Sequence, residues 1–573
     1  MYAEFFVCVD TFNVLHGSSK NTLDSVRPVG SAPDYGVIRS WLDKCDKEHK
    51  QCCADKNTAK LRLITLIDVR NRSLVRYKAG MQYVALSYVW GGVASPKRSR
   101  PFEFPHGVST TIEHAMVVAN RIGVPFLWAD AVCINQHDKK EKEEQLPLMD
   151  YIYEQAFVTI VALGRHANIG LPGVEGGPKR SPQLVVEFGP VRLLSRCPTL
   201  ESQIESSVWS SRGWTYQEGV FSRRCIFFSQ HQVYFHCNSM LCTEDSPTST
   251  LLYPEKGTKN PAQGSGYWAS DTTYIKRNSL WRKEGSGNIQ TYITYLGQYI
   301  SRDVSYDLDA INAFSALLAR LQRDFFFRGF IHGIPRDDFR NGLLWAVGGK
   351  VSPREAGGFP SWSWAAWKVS GFGTTYGLVS TTEEAHRFTV PHPLQISLRN
   401  DLLHDSRASN MRLSGISLEL QNLWNMYSKS QRPVPAGKVT TAPSMNALYI
   451  DGPIVSLPVT YDPTTQVIGF MAPRSLPRVK MIHLWPSLDE KCRRGWQQLP
   501  IPGGFAKTCE FLVLQTTYSQ SVPASRITFT LMLLKQISNN VRVRAGVLHL
   551  SIENDLAQFW EFAAVRRDVF WLV

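Results

Sequence analysis

The stretch RGWTYQEGVFSRR (Arg212–Arg224) sets one carboxylate, Glu218, among Trp214, Tyr216 and Phe221. Trp214 and Glu218 are four residues apart and so share a helix face. Gly219 is expected to end that helix, which puts Glu218 in its last turn. There the negative end of the helix dipole disfavours a carboxylate, and an aromatic setting does the same by desolvation. Both effects raise the pKa and suit a group that must share a proton. The competing reading is structural, an ion pair from Glu218 to Arg212, Arg223 or Arg224.

Further candidates follow two apolar runs with the composition of buried strands. After YVALSYVW (Tyr83–Trp90) come Gly91 and Gly92. Ser87, Tyr88 and Trp90 stand at the end of that run. Two glycines allow close backbone approach to a ligand, and Trp90 offers a flat face for a base or ribose. A tight turn with a core Trp is the alternative. The second run, PFLWADAVCI (Pro125–Ile134), contains Asp130 and leads to Asn135 and Gln136. A carboxylate in such a run is costly to bury unless hydrogen-bonded. Asp130 could therefore hold ribose hydroxyls or cap a loop. In an open parallel sheet the ligand crevice lies outside the carboxyl ends of the strands, where all these residues stand.

The elements that would position them alternate. TTIEHAMVVANRIGV carries Ile112, Ala115, Met116, Ala119 and Ile122 at helical spacing, with Thr110 and Glu113 as a capping box. Asp138 with Glu141 opens a second helix that buries Met149, Ile152, Tyr153 and Ala156, and Pro147 starts or kinks its regular part. FVTIVALG (Phe157–Gly164) reads as a strand buried on both faces. Strand, helix, strand, helix, strand argues for a parallel sheet with right-handed crossovers. A Gly/Pro-rich loop, the Glu218 helix and two more strands, RRCIFFS and QVYFHC, complete the unit.

Four regions are expected: a mixed lead-in over residues 1–80, the α/β unit over 81–245, a mostly helical extension over 246–385, and a β-rich region over 386–573. In the third, LDAINAFSALLARL has Ile311, Phe314, Leu318 and Leu321 on one stripe. FPSWSWAAW reads as a strand with Trp362 and Trp364 on one face.

The 573 residues are 43% apolar and 20% charged, ordinary for a globular protein with a core. The net charge of +14 comes without a long basic run or a nucleic-acid-binding motif, so nucleic acid is an unlikely partner. The 11 cysteines are odd in number and scattered, which fits reduced thiols. No signal-like start and no bilayer-length apolar run is evident, so a cytoplasmic protein without membrane attachment is expected. Cys45, His49, Cys52 and Cys53 superficially suggest a metal site. Adjacent cysteines rarely serve one zinc and no second pair has ribbon-like spacing, so packing of a Cys-bearing helix is favoured and no metal is expected. Cys237 and Cys242 read as a strand-end core pair, and Cys133 as an inert thiol within a strand.

Three ordered segments together resemble the heterokaryon-incompatibility (HET) domain of filamentous fungi. They are YVALSYVWGG, LWADAVCINQHDKKEKEEQLPLMDYIYEQAFVTIVALG and SSRGWTYQEGVFSRRCIFFSQHQVYFHC. WLDKCDKEHKQC and FPSWSWAAW also resemble regions that accompany this domain. The resemblance implies non-self recognition and programmed cell death on hyphal fusion. It also implies a flavodoxin/TIR-like parallel sheet flanked by helices, since the HET domain is regarded as a distant relative of TIR. Many TIR domains hydrolyse NAD, with a catalytic Glu four residues after a Trp in a pattern similar to W-C-x-x-E. WTYQE keeps that spacing, with Thr215 in place of Cys. By this resemblance Glu218 would be catalytic and Ser87, Trp90 and Gly91 would lie near the first-strand loop that lines the nucleotide cleft; with NAD as substrate and no cofactor, Trp214 and Trp90 would offer stacking surfaces and Asp130 a second polar anchor. The alternative is a non-catalytic module that self-associates or binds other incompatibility proteins.

Overall fold

The computed structural model describes residues 12–15, 27–49, 52, 59–98, 102–188, 191–246 and 250–251 in the first half of the chain. Beyond these it describes 288–345, 350–355, 358–370, 387–389, 394–398, 401–405, 442–462, 467–470, 479–486, 507–521, 524–538, 540–553, 563 and 565–573. The chain divides into two compact units, one of Met1–Lys283 with Ala313–Leu317, the other of Glu284–Asn312 with Leu318–Val573.

The first unit is built on a nine-stranded mixed sheet. Its strands are β2 (Thr65–Asp68), β3 (Ser73–Arg76), β4 (Tyr83–Ser87), β5 (Phe126–Trp128), β6 (Val158–Ala162), β9 (Arg224–Phe228), β10 (Val233–Cys237), β11 (Met240–Thr243) and β12 (Thr250–Leu251). They lie in the order β12-β11-β10-β9-β6-β4-β5-β2-β3. Only the central four, β5, β4, β6 and β9, run parallel, and antiparallel hairpins extend the sheet at both edges. A small separate sheet joins β1 (Phe12–Leu15) to the hairpin β7 (Val185–Phe188) and β8 (Val191–Ser195).

The parallel core arises from the expected alternation. β4 leads through α2 (Thr110–Arg121) to β5 on one side, and the chain then returns to β6 on the other side of β4. Connections reverse direction at β4, so a crevice is expected at the carboxyl end of that strand. Every residue of β4, β6 and β9 is buried, as suits strands covered on both faces. One face carries a core of Val89, Val161, Leu200, Ile204, Trp209 and Phe227. Burial of side chains of this size stabilises by about 1.5–3 kcal/mol each.

Local readings were settled by packing. All five apolar positions expected on α2 are buried. Its N-cap is Ser109, without a side-chain capping bond, and Glu113 instead pairs with Arg72 at 2.7 and 2.8 Å. Asp138 caps α4 (Lys139–Gln145), accepting from the N–H groups of Lys140 and Glu141. Pro147 lies in a single 3-10 turn that separates α4 from α5 (Met149–Gln155). The run Pro125–Ile134 is a strand only to Trp128, because Asp130–Cys133 forms one helical turn, α3. Cys133 is therefore on that turn and not within a strand, though it is fully buried.

The second unit holds a helix at Asn288–Tyr299, short hairpins and a ten-stranded sheet spanning Arg387–Leu572. Trp362 and Trp364 are both buried, yet they sit in a turn and a 3-10 helix, and the strand starts at Trp367. Ser363 between them caps that helix by accepting from Ala365 N–H. In the large sheet Arg567 grips Asp451 through two bonds of 2.6 and 2.5 Å. No helix among the described residues is long and apolar enough to cross a membrane.

Candidate functional site

Three short helices follow the small sheet: α6 (Leu200–Glu205), α7 (Val208–Ser211) and α8 (Gly213–Phe221). Helix α8 runs two residues past Gly219 and ends at Phe221. Seven consecutive residues, Thr215 to Phe221, are buried. A helix apolar and buried on nearly all sides belongs to a core. It packs against α5, and Tyr216 stacks on Phe314 with ring centroids 6.3 Å apart. Glu218 is thus held inside the protein, 5% exposed.

Its partners come from the strand ends. Ser87, the last residue of β4, donates its hydroxyl to Glu218 Oε2 across 131 positions of sequence, and accepts from Trp209 Nε1 at 2.7 Å. The Tyr153 hydroxyl also lies within hydrogen-bonding reach of Glu218. The same hydroxyl donates to the Leu86 carbonyl at 3.1 Å. Among the described residues no arginine pairs with Glu218. Arg223 pairs with Glu154 and Arg224 with Asp46, so two of the arginines expected as partners are engaged elsewhere.

Asp130 opens α3 at the end of β5. Trp90 Nε1 donates to both its oxygens at 3.2 and 3.0 Å, Ala131 N–H donates at 2.7 Å, and the Tyr88 hydroxyl also bonds to it. Burial raises the Asp130 carboxyl to about 6 against these bonds. Burial, and then the charge of Asp130, raises Glu218 to about 8, while Ser87 and Tyr153 oppose the rise. Two carboxyls that interact in a low-dielectric site titrate as a pair. Near neutral pH this pair holds about one proton between them.

Ser87, Trp90, Asp130 and Glu218 thus meet. Trp214 and Gly91 contribute differently. Trp214 is half-buried, and its side chain has no hydrogen bond or ring contact with the group, whose indole donors are Trp90 and Trp209. Gly91 adopts φ +61°, and a Cβ there would fall 2.2 Å from His166 Cβ. Its close approach is to the chain's own loop. A small crevice beside Asp130 is lined by Tyr88, Trp90, Val93, Ala131 and Ala167, and Glu218 is not among its walls. Tyr88 had been a candidate at the end of the first strand, whereas Tyr153, read only as a core position, and Trp209 had not been singled out for the site. Their signal was a polar tip on a residue bound for the core, since a buried Tyr or Trp seeks a partner for that tip.

An α/β unit with paired carboxyls at the turning point of its parallel strands defines the class. Residues 83–218 match the family model "Heterokaryon incompatibility protein (HET)", and the chain carries a HET domain. A Neurospora crassa protein described as heterokaryon incompatibility protein 6, OR allele, is 34% identical over 96 residues. That similarity covers 14% of this chain and 14% of the Neurospora protein. No solved structure matches the chain.

Proposed function

We propose that this protein acts in fungal heterokaryon incompatibility, and that its carboxyl pair hydrolyses the nicotinamide–ribose bond of NAD or a related nucleotide. The observation that carries the catalytic reading is the meeting of Glu218 and Asp130. They come from two separate motifs, interact through their charges, and among the described residues have no arginine to neutralise them. A structural carboxylate would ordinarily be paired, as Asp451 is with Arg567.

Cleavage of this bond develops positive charge on the ribose, as in glycoside hydrolysis. The carbon–nitrogen bond breaks and its electron pair neutralises the pyridinium, so nicotinamide leaves without a proton. Water adds to the anomeric carbon and surrenders its proton to a carboxylate. In this reading Glu218 faces the cation and accepts ribose hydroxyls, with Asp130 as its second anchor. A cationic substrate would also favour ionisation of the pair, which burial disfavours. Trp90 supplies a stacking face at the crevice.

The test is nicotinamide release from NAD by purified full-length protein. Activity lost in both Glu218→Gln and Asp130→Asn supports the reading. Activity retained in Glu218→Gln would overturn the catalytic role. Death on expression that persists in Glu218→Gln, but not in variants blocked in assembly, favours the non-catalytic module.

A further inference from the structure

A second polar cluster lies at the other side of the same unit, and nothing in the proposed chemistry uses it. Helix α1 (Tyr35–Glu48) ends with Cys45 and His49 one turn apart, and His49 N–H donates to the Cys45 carbonyl at 2.9 Å. The chain then turns back, with Cys52 N–H bonded to the His49 carbonyl at 2.8 Å. From the far end of the unit β10 delivers Cys237. Its Sγ lies 3.6 Å from His49 Nδ1, a contact that joins residues 188 positions apart. The ligand atoms of Cys45, His49 and Cys237 all lie within 4.8 Å of one another. Cys52 lies just outside that trio and interacts with both Cys45 and Cys237. All four side chains are buried.

We propose that Cys45, His49, Cys52 and Cys237 bind one zinc ion, which ties helix α1 to the end of strand β10 in the sheet. Bonds of about 2.3 Å to sulfur and about 2.0 Å to nitrogen at tetrahedral angles give a sulfur–nitrogen edge of about 3.5 Å. The His49–Cys237 separation has that length. The surroundings favour thiolates as well. Ser239 N–H points at Cys237 Sγ at 3.4 Å, Met240 N–H also bonds to it, and Asn238 N–H bonds to Cys52. Backbone donors aimed at sulfur stabilise the anion that a metal requires. Three thiolates and an imidazole around a divalent ion leave one net negative charge. The buried Arg224 guanidinium, which also pairs with Asp46, is close enough to Cys45 and Cys52 to feel their charge and offsets part of it. The adjacent-cysteine objection lapses because Cys53 is not needed: the fourth ligand comes from β10.

The test uses untagged full-length protein, purified under reducing conditions without chelator. Elemental analysis is expected to find about one zinc per chain, as for a closed structural site. Exchange with cobalt(II) should produce sulfur-to-cobalt charge transfer and the intense visible absorption of a tetrahedral ion. Cys237→Ser should lower zinc occupancy at least tenfold, while Cys242→Ser on the neighbouring strand retains it. Cys52→Ser keeps three ligands, and so tests the site in a folded protein: it should weaken metal affinity at least tenfold and reduce the charge-transfer band. The proposal fails if the reduced protein carries less than about a tenth of an equivalent of zinc and gives no cobalt spectrum. It also fails if metal is retained after both Cys45→Ser and Cys237→Ser, or if Cys45 and Cys237 prove to be joined as a disulfide.

Discussion

The two buried polar clusters of the first unit are opposites. Around Glu218 and Asp130 the protein makes negative charge unfavourable: both are desolvated, the charge of Asp130 raises Glu218 further, and among the described residues no arginine or lysine pairs with either. Around Cys237 it makes negative charge favourable, with backbone N–H groups on the sulfurs and Arg224 alongside. A site that resists its own charge is poised to exchange a proton. A site that welcomes it is poised to hold a cation. Equal burial thus serves opposite ends, and donors near the atoms decide which.

The contrast can be broken most severely at the thiols. Chelation under reducing conditions should lower the melting temperature by about 10 °C or more, since binding free energy of a structural metal is folding free energy. A calorimetric scan with and without chelator checks this, and an unchanged melting temperature removes one half of the comparison.

The carboxyl half is tested by pH. Glu218 is raised from its ordinary 4.5 to about 8, so between those values the folded chain keeps a proton that the unfolded chain has lost. Stability therefore falls as pH rises through that window, by up to about 5 kcal/mol. Glu218→Gln should abolish that fall and be the more stable protein above about pH 8. Denaturant titrations across the range measure it. On the functional side, Glu218→Gln should reduce nicotinamide release at least about 100-fold, the scale of losing a charge-stabilising group.

A smaller effect separates the two tryptophans. Trp209→Phe removes the donor to Ser87 and should cost about 1–2 kcal/mol, whereas Trp214→Phe, whose indole has no bond to lose here, should stay within about 0.5 kcal/mol. Equal losses would mean that Trp214 supports the site after all.

Much of this was legible in the chain. Periodicity located α2, α5 and the parallel strands, because apolar residues at period 3.6 or in short runs must find a core. The motif around Glu218 was legible too, with its pKa raised as expected. The stated cause was only half of it. Desolvation operates, but the like-charged neighbour Asp130 replaces the helix dipole as the second cause. Asp130 was read within a strand because LWADAVCI is apolar on both sides, and only the packed chain shows the turn of helix there. The Glu113 cap failed for a similar reason: Arg72, far away in sequence, offered a stronger partner than the helix's own end.

By itself the sequence determined the kinds of element, the order of the motifs and the identity of the reactive groups. Tertiary structure alone decided which groups meet. Ser87 reaches Glu218 because β4 lies at the turning point of the sheet. Cys237 reaches His49 because β10 ends beside the last turn of α1. Spacing along a chain sets geometry over a few residues, within one helix face or one strand. Strand order and helix docking set it over a hundred or more, and that order follows from burying every apolar face at once.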